Sequence, residues 1–219
     1  MELFYKDQSV IVCGKPAGLV SEGGSGTGAP DLLGKELAAQ GENPALYPVN
    51  RLDREAEGLL LLARNEQAAA ALSRQVAGHL VEKEYLAVVF GEPEKPAGEY
   101  RDLLFHDSQK NKTYVVDRPR KGVKEAVLRY QMICSADFDG KKLSLLQIQL
   151  DTGRTHQIRV QFASRKMPLF GDGKYGGGSG RLALQSHRIT FRHPVSGETI
   201  TVSAPFPEEA PWSLFPADK

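Results

Sequence analysis

The apolar positions of this 219-residue chain gather in short runs, and the spacing within each run predicts its element. Val10-Ile11-Val12 is β-branched and is closed by the turn formers of Gly14-Lys15-Pro16-Ala17-Gly18, so a strand over residues 9–13 is predicted. Leu32, Leu33 and Leu37 share one side of a helix over residues 32–40, with Asp31 as its cap. Residues 58–64 read as a buried strand, because Leu59-Leu60-Leu61-Leu62-Ala63 is apolar without alternation and is far too short to span a membrane. Asn65 then caps an alanine-rich helix running to Ala77, whose small side chains permit close packing on a sheet.

Further along, residues 82–90 are rich in β formers and predict a strand with Tyr85, Ala87 and Val89 on one face and Leu86, Val88 and Phe90 on the other. Tyr85 is therefore either a core aromatic or one that lines a cleft. Residues 91–98 read as a Pro/Gly-rich loop, and the basic stretch from Lys110 to Lys124 suits either a phosphate-tracking arm or a solvated hairpin. Two β-rich runs, 125–136 and 141–150, flank Asp137-Phe138-Asp139-Gly140, where Asp-Gly signals a hairpin. Past Asp151-Thr152-Gly153-Arg154, Thr155 is a cap candidate for a helix in which Ile158 and Phe162 share a face. Arg159 lies one position round, at the edge of that face and directed toward a cleft. Runs 182–192 and 199–203 close the chain around the turn His193-Pro194-Val195-Ser196-Gly197. No repeat or linker interrupts the pattern, so one domain over residues 1–219, an antiparallel sheet with a few helices, is expected.

Composition narrows the class. The chain is 41% hydrophobic and 25% charged, the balance of an ordinary globular protein, which excludes disordered and fibrous architectures. Met1 to Tyr5 carry no basic segment followed by an apolar one, and no apolar run approaches the length of a membrane span, so a cytoplasmic protein with no membrane partner is expected. Cys13 and Cys134 are remote from each other and have no zinc-like spacing, which makes them free thiols. Gly23-Gly24-Ser25-Gly26-Thr27-Gly28 lacks the Gly-Lys-Ser/Thr ending of a phosphate loop and reads as a flexible surface loop. The formal charge of +1 conceals a division, since residues 110–192 hold 17 Lys/Arg against 6 Asp/Glu and the remainder 11 against 21. A split of this size points to a polyanionic partner for one face, unless the fold interleaves the halves.

The chemistry-bearing stretch is Asn50-Arg51-Leu52-Asp53-Arg54-Glu55-Ala56-Glu57-Gly58, a charged loop that runs into the buried strand. It sets a carboxylate between two arginines at the edge of the core, where surroundings can tune its ionisation; in isolation it equally describes a surface ion pair.

Taken with Gly58-Leu59-Leu60-Leu61-Leu62-Ala63, Lys83-Glu84-Tyr85-Leu86-Ala87 and Gly153-Arg154-Thr155-His156-Gln157-Ile158-Arg159-Val160, that loop resembles the RluA-type pseudouridine synthases. Lys15-Pro16-Ala17-Gly18, Gly171-Asp172-Gly173-Lys174-Tyr175-Gly176 and Phe191-Arg192-His193-Pro194 extend the likeness over nearly the whole chain. The resemblance implies an α+β fold with a mixed, mainly antiparallel sheet, a central cleft and flanking helices. It implies isomerisation of selected uridines in ribosomal or transfer RNA, with no metal and no cofactor, by a monomer lacking a separate N-terminal RNA-binding module. Asp53 takes the place of the catalytic aspartate, a nucleophile toward either the ribose or the uracil ring. Arg159 takes that of its ion-pair partner, Tyr85 of the residue stacking on the detached base, and Ile158 of an apolar wall. Arg51 matches the arginine that enters the space left by a flipped base. Arg154 and Lys83, within the matching motifs, join the substrate-binding set, and the basic span 110–192 would hold phosphates.

Three positions where the family often has histidine are amides: Asn50, Gln161 and Gln185. They are expected to hydrogen-bond and not to act as acids or bases. Ala56-Glu57 replaces Thr-Ser, removing a hydroxyl near Asp53 and adding a negative charge, so support for the aspartate must come from elsewhere. Rival readings are an RsuA-type synthase, a non-catalytic RNA-binding or chaperone-like domain on the same fold, and a hydrolase pairing Asp53 with Glu55 or Glu57.

Overall fold

The computed structural model describes residues 1–24 and 26–216; Ser25, within the predicted glycine loop, lies outside them. In chain order the described residues form β1 (Leu3–Lys6), β2 (Val10–Lys15), α1 (Ala29–Ala39), β3 (Tyr47–Pro48), β4 (Glu57–Ala63), α2 (Glu66–Ala77), β5 (Glu82–Phe90) and β6 (Ala97–Asp107). There follow β7 (Lys112–Val116), β8 (Val123–Phe138), β9 (Lys141–Leu150), α3 (Gln157–Ala163), β10 (Leu184–Arg192), β11 (Thr199–Ser203) and a 3-10 turn at Trp212–Leu214. Contacts gather into two compact units, Met1–Lys83 with Gln185–Pro205, and Glu84–Leu184 with Phe206–Lys219. Among the described residues no helix is long and apolar enough to cross a membrane.

In the first unit the strands run β1-β2-β4-β10, with β11 on β10 and β3 on β4. All pairs are antiparallel except β4 with β10, where Glu57 faces Gln185 and Gly58 faces Ser186. Strand β4 is buried at every position because both its faces are covered. Leu60 and Leu62 pack with Ile11 and Cys13 against Leu33 and Leu37 of α1. Leu59, Leu61 and Ala63 pack with Ala68 and Leu72 of α2 and with Ile189 and Phe191. Each such leucine contributes roughly 1.5–3 kcal/mol by leaving water, which is why the run carries no polar alternation.

Helix α2 begins as predicted: Asn65 Oδ1 accepts from the Ala68 amide at 2.8 Å. Helix α1 starts three residues earlier than predicted, with Gly28 at the cap position and Pro30 in the first turn, where its missing amide hydrogen costs nothing. Asp31 is thus not the cap residue; from inside the first turn its carboxylate accepts from the Gly28 and Gly24 amides at 3.0 and 2.9 Å. Gly28 is required there, since a Cβ would lie 1.8 Å from the Glu22 carbonyl oxygen.

The second unit is an antiparallel sheet ordered β5-β9-β8-β6-β7. Its core sets Leu86 and Val88 with Leu143, Leu145, Trp212 and Phe215. The predicted hairpin is present: Asp139 and Gly140 both have positive φ, 48° and 69°, the conformation that a two-residue hairpin turn needs. The basic stretch is a hairpin as well, with β7 pairing β6 from Asp107↔Lys112 to Leu103↔Val116. Strand β6 is the main element that sequence reasoning left out, and its first two residues fall in the predicted loop. Helix α3 is capped otherwise than predicted. His156, not Thr155, holds the N-cap position, at φ 54° and with no side-chain cap bond; the Gln157 side chain instead accepts from the Arg154 amide at 3.0 Å.

Candidate active site

In the first unit the Asp53 loop is tied down on both sides. Ser21 Oγ donates to the Leu52 carbonyl and accepts from the Leu52 amide, each at 3.0 Å, in a buried position. On the other side the Gly18 amide donates to the Arg54 carbonyl at 2.7 Å, and Arg54 Nε returns a bond to the Gly18 carbonyl at 2.9 Å. Within the loop the Ala56 amide donates to the Asp53 carbonyl at 3.1 Å. Asp53 itself is half-buried between neighbours of opposite character, with Leu52 buried and Arg54 exposed. Behind the loop Asn50 is stitched to β4, its Oδ1 accepting from the Leu61 amide at 2.7 Å. The predicted turn residue Lys15 is buried to 1% exposure, and its ammonium donates to the carbonyls of Leu19 and Ala56, both at 2.7 Å. Burial lowers the Lys15 pKa to about 8, while the carboxylates of Asp53, Glu55 and Glu57 pull it upward.

Arg51 is exposed and pairs with Glu22 at 2.7 Å on the surface. Lys83 is half-buried, and burial lowers its pKa.

The second unit holds an arginine centre. Arg159 is 2% exposed on α3 and makes a bidentate pair with Asp172, Nε to Oδ2 at 2.7 Å and Nη2 to Oδ1 at 2.9 Å. Asp172 is kept in place by its own loop, where Oδ1 also accepts from the Lys174 and Tyr175 amides at 3.1 and 3.2 Å. That loop turns at Gly171, with φ 75°, and closes where a Cβ on Gly177 would lie 1.7 Å from the Leu169 carbonyl oxygen. The Tyr175 ring lies 5.4 Å from the Arg159 guanidinium carbon, and its hydroxyl accepts from the Thr113 amide at 2.8 Å and meets His156 Nδ1 at 3.0 Å. Ile158 is buried beside Arg159 on α3, and Tyr85 is buried on β5 opposite Ile148. Arg154 is half-buried and donates Nε to the Glu125 carbonyl at 2.9 Å.

The predicted site residues therefore divide: Asp53, Arg51 and Lys83 belong to the first unit, and Tyr85, Arg154, Ile158 and Arg159 to the second. The three amides hydrogen-bond as expected. Gln185 Nε2 donates to the Pro205 carbonyl at 3.0 Å, and Gln161 Nε2 donates to Asp102 at 2.7 Å. Lys15, Ser21, Asp172 and Tyr175 were not anticipated as site residues; for Asp172 the available signal was an acid flanked by two glycines.

Solved structures share this fold. Human RNA Pseudouridylate Synthase Domain Containing 4 aligns with a TM-score of 0.76 at 21% identity, over 94% of this chain and 88% of that one. Its Domain Containing 1 counterpart aligns with a TM-score of 0.77 at 21% identity, over 94% and 84%. The model of the RNA pseudouridylate synthase family matches residues 9–164. Ribosomal large subunit pseudouridine synthase D of Xanthomonas campestris is 36% identical over 95% of this chain and 67% of its own length. The tRNA pseudouridine synthase C of Haemophilus ducreyi is 32% identical over 93% of this chain and 90% of its own. The chain belongs to the RNA pseudouridylate synthase family, among relatives of the RluA type, and is an RNA pseudouridine synthase.

Proposed function

We propose that this enzyme isomerises specific uridines in ribosomal or transfer RNA, with Asp53 as the nucleophile. In the reaction the bond from the ribose to uracil N1 breaks, a bond to C5 forms, and the hydrogen on C5 leaves as a proton while N1 gains one. Atoms and electrons balance without an added oxidant or reductant. The observation that carries the assignment of Asp53 is the double fixing of its loop, by Ser21 on the Leu52 peptide and by Gly18 and Lys15 on the Arg54 and Ala56 carbonyls. A half-buried carboxylate on so constrained a loop is held ready for attack, and pre-positioning of this kind removes much of the entropic barrier.

Arg159 is the ion-pair partner of Asp53 in this reading. The bidentate pair with Asp172 fixes the plane of the guanidinium on α3. Tyr85 stacks on the detached base, and Ile158 walls it. Arg51 enters the stack that the flipped uridine leaves. Its bond to Glu22 is an exposed pair worth about 0–1 kcal/mol, so RNA displaces it at little cost. Lys83 and Arg154 contact the RNA. The protein acts as a cytoplasmic monomer.

The test is to map pseudouridine across total RNA from cells with and without the gene. Sites that vanish on deletion return with the wild-type protein and not with Asp53→Asn. Equal restoration by Asp53→Asn would refute the nucleophile assignment, and an unchanged map would refute the choice of RNA.

A further inference from the structure

Beside Asp53 stands an arginine that is pinned but unpaired. Arg54 follows Asp53 directly and is the only cation between it and the start of β4. It is exposed, yet its guanidinium does not sweep the solvent: Nε donates to the Gly18 carbonyl at 2.9 Å, and the Gly18 amide returns a bond to the Arg54 carbonyl at 2.7 Å. Gly18 aims that carbonyl from a left-handed turn, with φ 87°, a conformation that a side chain disfavours. An arginine held through Nε keeps its remaining donors on the two terminal nitrogens, in a plane that no longer turns freely. Among the described residues Arg54 has no ion pair, whereas the exposed arginines Arg51, Arg101 and Arg129 each sit on a carboxylate. The RNA contact proposed at Arg154 is built likewise, with Nε on the Glu125 carbonyl at 2.9 Å. Asp53 and Arg54 leave the chain at adjacent Cα atoms, about 3.8 Å apart, one half-buried and the other exposed. A uridine that brings its sugar and base to Asp53 keeps its phosphates on the solvent side, because a phosphate would lose too much hydration by following the base inward. That is the side on which Arg54 is exposed.

We propose that Arg54 is a phosphate-binding residue: its terminal nitrogens take a backbone phosphate of the RNA, one flanking the target uridine, by paired hydrogen bonds. The proposal rests on the reading of Asp53 as nucleophile, since that residue is what brings the uridine to this loop. The Gly18 bond supplies pre-organisation. The side chain has given up its rotational freedom before RNA arrives, so less is lost on binding. Charge and shape both contribute, so lysine, a point charge without the planar fork, is a partial substitute.

The experiment uses the full chain and total RNA from cells lacking the gene, labelled with tritium at uridine C5, so that each turnover releases tritium to water. Rates are read with enzyme in excess, as the rate at saturation and the enzyme concentration giving half of it, in salt from about 50 to 200 mM. Arg54→Gln removes the charge and leaves the backbone bond from the Gly18 amide in place. For it we expect half-saturation to rise at least about 10-fold at the lower salt, and the logarithm of half-saturation to depend less steeply on that of salt, by about one in slope. Arg54→Lys is expected to keep the wild-type slope, with half-saturation between those of the wild type and Arg54→Gln. Wild-type half-saturation or wild-type slope in Arg54→Gln overturns the proposal, as does a slope in Arg54→Lys equal to that of Arg54→Gln. Failure of both variants to fold, read by circular dichroism, overturns it too, since Arg54 then serves the fold alone. Asp53→Asn is run beside them: if it is active the nucleophile reading fails, and if it is inactive while Arg54→Gln keeps both wild-type values, only the role of Arg54 fails.

Discussion

Asp172→Asn isolates the arginine centre, because it keeps the side-chain shape and removes one charge. Arg159 and Asp172 are 2% and 1% exposed, and the pair is bidentate with both distances below 3.0 Å. Breaking a buried pair by neutralising one member costs about 3–5 kcal/mol, since the guanidinium stays buried while it loses the Asp172 charge. The asparagine Oδ1 can still accept from the Lys174 and Tyr175 amides, so the loop loses little of its own support. The loss is then read directly in the second unit, whose core contains Trp212, the only tryptophan in the chain. With a urea dependence of about 1–3 kcal/mol per molar, a loss of this size moves the Trp212 fluorescence midpoint down by one to a few molar. The saturating tritium-release rate should fall about 100-fold in parallel, because the guanidinium is no longer aimed. An unchanged midpoint would refute the energetic argument. A lowered midpoint with an unchanged rate would confine Asp172 to a structural role.

Two further outcomes follow from the loop and strand of the first unit. Burial lowers the Lys15 pKa from 10.5 to about 8, so between those values the unfolded chain holds a proton that the folded one has released; stability rises with pH across that window, by about 3 kcal/mol, a rise that Lys15→Met abolishes in urea titrations at each pH. Gly58 has φ 106°, and a Cβ there would lie 2.3 Å from the Ser186 carbonyl oxygen, so Gly58→Ala should cost at least about 2 kcal/mol through strain and loss of the parallel β4–β10 pairing; a melting temperature equal to wild type would contradict this.

Elements with a strong local signal were legible before any coordinates. Strand β5 occupies residues 82–90 as predicted because its β formers are continuous, and α2 begins at Asn65 because a side-chain cap is a contact between near neighbours. Strand β6 was not legible: half-buried and exposed positions mix along it, and what makes it a strand is pairing with β8, whose residues lie more than 15 positions away in the chain. The same division runs through the site. Asp53, Arg51, Tyr85, Ile158 and Arg159 stand out through motifs in their order, whereas Asp172 lies in a matching glycine-rich motif that gives it no role until its carboxylate is seen on Arg159.

By itself the sequence determined the strongest strand-forming runs, the Asn65 cap and the family, and it marked the carboxylate and arginine proposed to carry the chemistry, because each is written in adjacent residues. Only the tertiary structure decided which charges are buried and what holds them. Lys15 is a residue type usually found in water, and no local pattern announces that four carbonyls from two loops will surround it. Burial and partnership are set by segments brought together from distant parts of the chain, and that is where the support of Asp53 was found.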